Sequence, residues 1–251
     1  GSYGYYRMNG GSLATGWLSV PGNNGLYAAF DQYDGDVNVT GSSSWLIMGW
    51  VNINNSASAI NLFGGRMRNP PSGNDISMNH NGSRNSFCMI NLLGTNAVLD
   101  TTVNSRSLRL STAGTNLLSV VNLNSGTLVA NRVYAGNTTT PSLLNFNGGT
   151  LKANTSQTTF LQGLTAATVY PGGAVIDTTN VNVTVNQPLL APTGYGVVGI
   201  PLRSNGAGYI GAPAVVITGG SGTGATAIAS VDLADGSPTK GSLTGITVTS
   251  P

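Results

Sequence analysis

The sequence contains no glutamate, one cysteine and one histidine, and each shortage removes a class of function. Its only acids are eight Asp, and charged residues make up 7% of the 251 residues, against roughly 25% in an average globular protein. Surface solvation therefore falls to amides and hydroxyls. The lone Cys88 excludes an internal disulfide framework and a CxxC metal knuckle, leaving packing and backbone pairing to hold the chain. The net charge of +2 comes from ten scattered Lys and Arg, with no basic stripe to neutralise phosphates, so nucleic acid is not an expected partner. No run of about 18 apolar residues is present to span a bilayer. The opening GSYGYY lacks the basic and apolar regions of a signal peptide, and the expectation is a mature chain or a fragment. No GxxxxGK[ST] loop occurs, and no cofactor is expected.

What is abundant is turn chemistry. There are 36 Gly among many Asn, Thr and Ser, the mix of numerous short strands joined by turns. Seven segments fall into one register, spaced 23 to 31 residues apart, if Gly11, Gly35, Gly65, Asn96, Gly126, Gly149 and Gly173 are aligned. Two residues further on stand Leu13, Val37, Met67, Val98, Leu128, Leu151 and Val175, all apolar. Three before stand Met8, Gln32, Leu62, Leu93, Leu123, Phe146 and Tyr170. Five before stand Tyr6, Phe30, Ile60, Asn91, Val121, Leu144 and Thr168; most of these positions are apolar, and Gln32 and Asn91 break the columns.

A period of this size is the signature of a solenoid. Gly or Asn at the turn adopts positive φ at low cost and lets one strand leave the next at a sharp angle. Alternation on either side sends every second side chain inward. The sequence thus predicts an all-β parallel β-helix of about seven coils over residues 1–191, on the order of 34 Å long at about 4.8 Å per coil. Asn69 to Asn85 shows no inward pattern and reads as a loop leaving the coil.

Composition shifts near Pro192, where short Val, Ile and Ala strands between Gly clusters suggest a small Gly-rich β module over 192–251. Val198, Gly199, Ile200 and Leu202 recur as Thr244, Gly245, Ile246 and Val248, a period of 46, and the expectation is a module cut within a longer array.

The segments YRMNGGSL, FDQYDGDVNV, VNLNSGTLVA, LNFNGGTLKA and VYPGGAVIDTTNVNVTVNQPL resemble repeat regions of bacterial autotransporter-type passengers and other secreted surface β-helix proteins. The tail GAGYIGAPAVVITGGSGTGATAIASV is similar to Gly-rich repeat modules attached to such proteins. The resemblance implies a right-handed coil and an extracellular, cell-surface location, often adhesive. It transfers no functional residue.

Candidate chemistry is sparse. Gly206, Gly208 and Gly211 spell GxGxxG, yet Ala212 and Pro213 follow where a dinucleotide site needs a helix. Asp100 and Asp177 sit in matching pentapeptides, VLDTT and VIDTT. They fall three coils apart, about 14 Å at one strand spacing per coil, beyond the roughly 5 to 9.5 Å of glycosidase carboxylate pairs, and turn capping is the better account. Asp31, Asp34 and Asp36 are the one carboxylate cluster a calcium ion would favour, though DG turn chemistry explains Asp34 without metal. His80 and Cys88 offer a conceivable nucleophile pair with no orienting third residue; the plainer reading is a loop histidine and a core cysteine. Trp17, Tyr27, Trp45 and Trp50 lie in the first two coils, where exposed rings would contact sugars and buried ones would cap the solenoid. N-x-[ST] sequons are as frequent as so Asn- and Thr-rich a chain produces by chance. The sequence therefore points to a non-catalytic structural or adhesive solenoid, with head-to-tail self-association and surface glycans as candidate partners. The alternative is a carbohydrate-active or carbohydrate-binding β-helix of polysaccharide-lyase, phage tail-spike or lectin-like type.

Overall fold

The computed structural model describes residues 2–20, 26–40, 45–49, 54–69, 74–80 and 82–251. Its first part is a parallel β-solenoid in which each coil contributes one strand to each of three sheets, of eight, seven and seven strands. The first coil comprises Tyr3–Met8, Ser12–Thr15 and Trp17–Val20. The first sheet runs from Tyr3–Met8 to Leu189–Leu190, the second from Ser12–Thr15 to Val175–Asp177, and the third from Trp17–Val20 to Val183–Val185. Neighbouring strands pair parallel throughout. Among the described residues the only helical turn is the 3-10 segment Val103–Ser105.

The inward side chains stack in columns between the three sheets. In the second sheet the column is Leu13, Val37, Met67, Leu99, Leu128, Leu151 and Ile176. Leu128 and Leu151 are fully buried, and Leu13 packs against the same core from the first coil. Each fully buried Leu, Ile or Met contributes about 1.5–3 kcal/mol relative to exposure, so the columns are the main stabilising term.

Two coils depart from the sequence alignment by one residue. The positions expected for Val98 and Val175 are occupied by Leu99 and Ile176, and those expected for Asn91 and Leu93 by Ile90 and Leu92. Likewise Ala167 and Val169 replace Thr168 and Tyr170. The cause is turn length. Most corners between the first and second sheets use three residues, such as Phe63 to Gly65, but Leu93 to Ala97 and Tyr170 to Ala174 use five. These longer turns close on themselves, with Ala97 N–H donating to Gly94 O at 3.0 Å and Gly173 N–H to Tyr170 O at 2.9 Å. Asn91 therefore points outward and breaks nothing.

Gln32 does stand in the apolar column, fully buried, and donates from Nε2 to the carbonyls of Gly35 (2.8 Å) and Arg66 (3.2 Å). A side chain that satisfies corner carbonyls can be tolerated inside. The corner also explains the glycines: at Gly65 φ is +72° and a Cβ would sit 2.3 Å from Gly35 O in the coil below.

Of the stretch Asn69 to Asn85, the described residues 74–80 and 82–85 do not leave the coil, and residues 70–73 and 81 lie outside the described residues. The stretch contains Ile76–Met78, a buried strand of the third sheet paired with the coils on both sides, and Ser83 opens the next first-sheet strand. Ile76 and Met78 supply the inward pair around Ser77, a three-residue strand too short for alternation to be legible among polar neighbours.

Beyond Leu190 the chain is irregular up to an antiparallel hairpin of Thr226–Val231 and Leu243–Ser250, joined by one isolated bridge between Ala214 and Ile228. The expected strands around Val198 do not form. Thr244 to Val248 finds a partner in Thr226–Val231, whereas Val198 is almost fully exposed with nothing to pair against.

Candidate functional site

The hairpin lies on the outer face of the first sheet, and that contact organises the chemistry of the molecule. Two outward columns meet it. One holds small or flexible apolar side chains, Ala29, Ala59 and Met89, against which Ile228 and Tyr5 pack. Beside it runs a ladder of buried amides in register, Asn61, Asn91, Asn122 and Asn145, headed by Asp31. Each Nδ2 donates to the oxygen one coil below: Asn61 to Asp31 at 2.7 Å, Asn91 to Asn61 at 2.7 Å, Asn122 to Asn91 at 2.7 Å and Asn145 to Asn122 at 2.8 Å. Stacked identical amides of this kind use both donor and acceptor at every rung.

The hairpin adds hydroxyls to the ladder. Asn122 also donates to Thr226 Oγ1 (2.8 Å), Asn145 to Ser250 Oγ (3.1 Å), and neighbouring Asn124 to Thr249 O (2.8 Å). Without these partners the tail would have only modest apolar area to hold it down.

Between hairpin and sheet a cavity of about 360 Å³ remains, with Tyr5, Arg7, Asp31, Tyr33 and Phe63 on the solenoid side and Ile228 to Val231 opposite. Asp31 is 3% exposed and accepts from Tyr5 Oη at 2.8 Å and from Asn61. Burial raises its pKa, with hydrogen bonds from Asn61 and Tyr5 and the charge of Arg7 opposing. The Tyr33 ring is already engaged: it stacks with Phe63 at 4.6 Å, and the Arg7 guanidinium sits 4.5 Å over it. Both Asp31 oxygens are engaged as well.

The sequence-derived candidates scatter. Asp31 faces outward from the first sheet, Asp36 outward from the second in an ion pair with Arg68 at 3.6 Å, and Asp34 is exposed in the turn between. Among the described residues no group of three His, Cys, Asp or Glu side chains is placed to hold a metal ion. Asp100 and Asp177 do share one column, separated by Val129 and Lys152. Each caps the Thr two residues on: Asp100 Oδ1 accepts from Thr102 N (3.0 Å) and Oγ1 (2.6 Å), Asp177 Oδ1 from Thr179 N (3.0 Å) and Oγ1 (2.5 Å). Arg66 pairs with Asp100, and Lys152 with Asp177 at 3.1 Å. The bonds from Thr179 and Lys152 hold Asp177 down to about 2. For Asp100, burial pushes upward, yet Thr102 and Arg66 prevail and the pKa is lowered.

Cys88 is a core residue, accepting from Ser58 Oγ and donating to Asn79 Oδ1, both at 3.2 Å; burial pushes its thiol up to about 11. His80 is not in a loose loop but buried directly after Ile76–Met78, its ring edge-on to Trp45 at 4.9 Å, and burial followed by Arg109 lowers its pKa. A protonated thiol and a neutral imidazole are the resting states of structural residues. Trp17 and Trp45 pair across coils on the third sheet at 6.2 Å, whereas Tyr27 lies on the first sheet, so the early aromatics form two groups; Trp50 lies outside the described residues. Gly206, Gly208 and Gly211 fall in irregular chain with no helix after them.

What sequence reasoning missed is the amide ladder. Its signal was present as Asn at the centre of INL (60–62), INL (90–92), VNL (121–123) and LNF (144–146), between inward residues, once the five-residue turns are allowed for. The fold and site thus define a parallel β-solenoid with a tail hairpin bound to its flank. Comparison with family models, curated proteins and solved structures gave no significant match.

Proposed function

We propose that this chain is a non-catalytic structural or adhesive segment of a β-solenoid displayed outside the cell, in a bacterial surface protein or filament. The observation that carries the reading is the engagement of seven of the eight Asp side chains, the only side-chain carboxylates in the sequence for general acid or base work, Asp34 alone standing exposed in a turn. Asp36, Asp100 and Asp177 tie neighbouring coils to Arg68, Arg66 and Lys152. Asp31 heads the amide ladder, and Asp75 accepts from Ser107 N–H (3.0 Å) and Tyr134 Oη (2.8 Å). Asp232 accepts from Ala234, Ser237 and Thr239 in the hairpin connection, where Lys240 also pairs with Asp235. The surface location rests on the resemblance of the coil segments to secreted β-helix repeats.

Self-association by end-to-end stacking fits the same reading. Among the described residues Tyr3–Met8 and Leu189–Leu190 each pair with one neighbour, and Val175, Leu189 and Leu190 expose apolar surface on the last coil. Such edges template further pairing.

The test is turnover. Purified protein incubated with neutral and acidic polysaccharides is expected to release neither reducing ends nor unsaturated uronates. Release that disappears in Asp100→Asn or Asp177→Asn would overturn the reading in favour of a carbohydrate-active β-helix. Negative-stain images showing only dispersed monomers at high concentration would remove the filament version.

A further inference from the structure

A second cavity, of about 430 Å³, lies where the irregular tail crosses the first two coils, and it is lined by three tyrosines and no acid or base. The solenoid contributes Tyr3 and its in-register neighbour Tyr27; the tail contributes Tyr209, Ile210, Pro213 and Ala214. We propose that this groove is a binding site for a neutral saccharide.

Three features of the groove define the ligand. No lining side chain carries a charge, and an ionised ligand would lose hydration there without gaining a partner. The lining is otherwise apolar and aromatic, which suits a ligand with a flat C–H face. Yet Tyr27 is 43% exposed and both Tyr27 and Tyr209 carry phenol oxygens that no other described residue engages, so a purely apolar ligand would leave them unanswered. A pyranose ring without acid groups combines an apolar face with a rim of hydroxyls.

The site is also fixed before a ligand arrives. Tyr3 Oη donates to Ala212 O and anchors the tail to the first coil. Tyr209 N–H donates to Gly241 O at 2.9 Å, and its ring lies so close over Gly206 that a Cβ there would approach Cε2 to 2.8 Å. Pro213 restricts the backbone next to Ala214, which bridges to Ile228. Walls held in this way reduce the ordering cost of binding, and the volume falls in the range of about 300–1,000 Å³ typical of small-ligand sites. The proposal goes beyond the structural reading and does not depend on it, since a rigid solenoid need carry no ligand.

The test is calorimetric titration of the full chain with cellohexaose, maltohexaose and laminarihexaose, with oligogalacturonate and a polyproline peptide in parallel. At least one neutral oligosaccharide is expected to bind, with Tyr27→Ala and Tyr209→Ala each weakening it by about tenfold. Trp17→Ala, on the third sheet, is expected to leave affinity unchanged. Melting curves of the tyrosine variants are expected to match the parent, which separates loss of the site from loss of the fold. No binding of any neutral probe, preference for oligogalacturonate or polyproline, or indifference to both tyrosine substitutions would each overturn the proposal.

Discussion

Replacing Asn91 with Ala removes the middle rung of the amide ladder. Asn91 is fully buried; it donates to Asn61 Oδ1 and accepts from Asn122 Nδ2, both at 2.7 Å. Asn122 keeps its bond to Thr226, but Asn61 Oδ1 is left without its donor in a site closed to water. A lost hydrogen bond costs about 1 kcal/mol and a stranded buried acceptor about 1–3 kcal/mol, so the substitution is expected to destabilise by about 2–4 kcal/mol. For a chain of this size that lowers Tm by roughly 4–16 °C. The control is a second ladder, Asn116 to Asn85 (2.7 Å) to Asn55 (3.0 Å), which is exposed and whose members all have positive φ. Asn85→Gly keeps that backbone accessible and breaks only bonds that water replaces, so its cost is expected to stay within about 0.5 kcal/mol. Thermal melts followed by circular dichroism measure both. Equal shifts in the two variants, or a shift under about 1 °C for Asn91→Ala, would refute the argument that the buried ladder stabilises the flank.

Three further outcomes follow from the geometry. The Asp31 pKa is raised in the folded chain, so the stability it contributes is present below the unfolded value of about 3.9 and is lost as pH rises through the folded value. Asp31→Asn extends the ladder without charge, and its Tm is expected to exceed the parent's at pH 7 and to vary less between pH 4 and 7; an equal or lower Tm at pH 7 would contradict this. Cys88, buried with a thiol pushed up to about 11, is expected to resist a disulfide reagent at pH 8 until denaturant is added, and rapid native labelling would place it elsewhere. Gly65→Ala puts a Cβ against Gly35 O at positive φ and is expected to cost about 2 kcal/mol or more, whereas a neutral effect would mean the corner is drawn too tightly.

The coil could be read from sequence wherever the corner is three residues long, because turn and column then keep a fixed offset, as from Leu62 through Gly65 to Met67. It slipped at Asn96 and Gly173, where two extra corner residues move the turn signal without moving the strand. Ile76–Met78 was hidden because three residues carry too little alternation. Of the residues lining the proposed groove, the sequence reading singled out only Tyr27. Tyr209 and Pro213 reach it through a tail whose path is set by docking on distant coils, and no local pattern encodes that contact. Trp17 and Trp45 line up on the third sheet whereas Tyr27 lies on the first, because residues close in sequence belong to different faces of a three-sided coil.

The most direct measurement is cysteine cross-linking across the last coils in a Cys88→Ala background. Lys152 is the register partner of Asp177 on the outer face of the second sheet, whereas the sequence alignment would pair it with Ile176. Lys152→Cys with Asp177→Cys is expected to oxidise readily to an intramolecular disulfide, and Lys152→Cys with Ile176→Cys is not. The reverse pattern, or no cross-link in either pair, would contradict the in-register parallel coil on which the ladder, the docked hairpin and the tyrosine groove all rest.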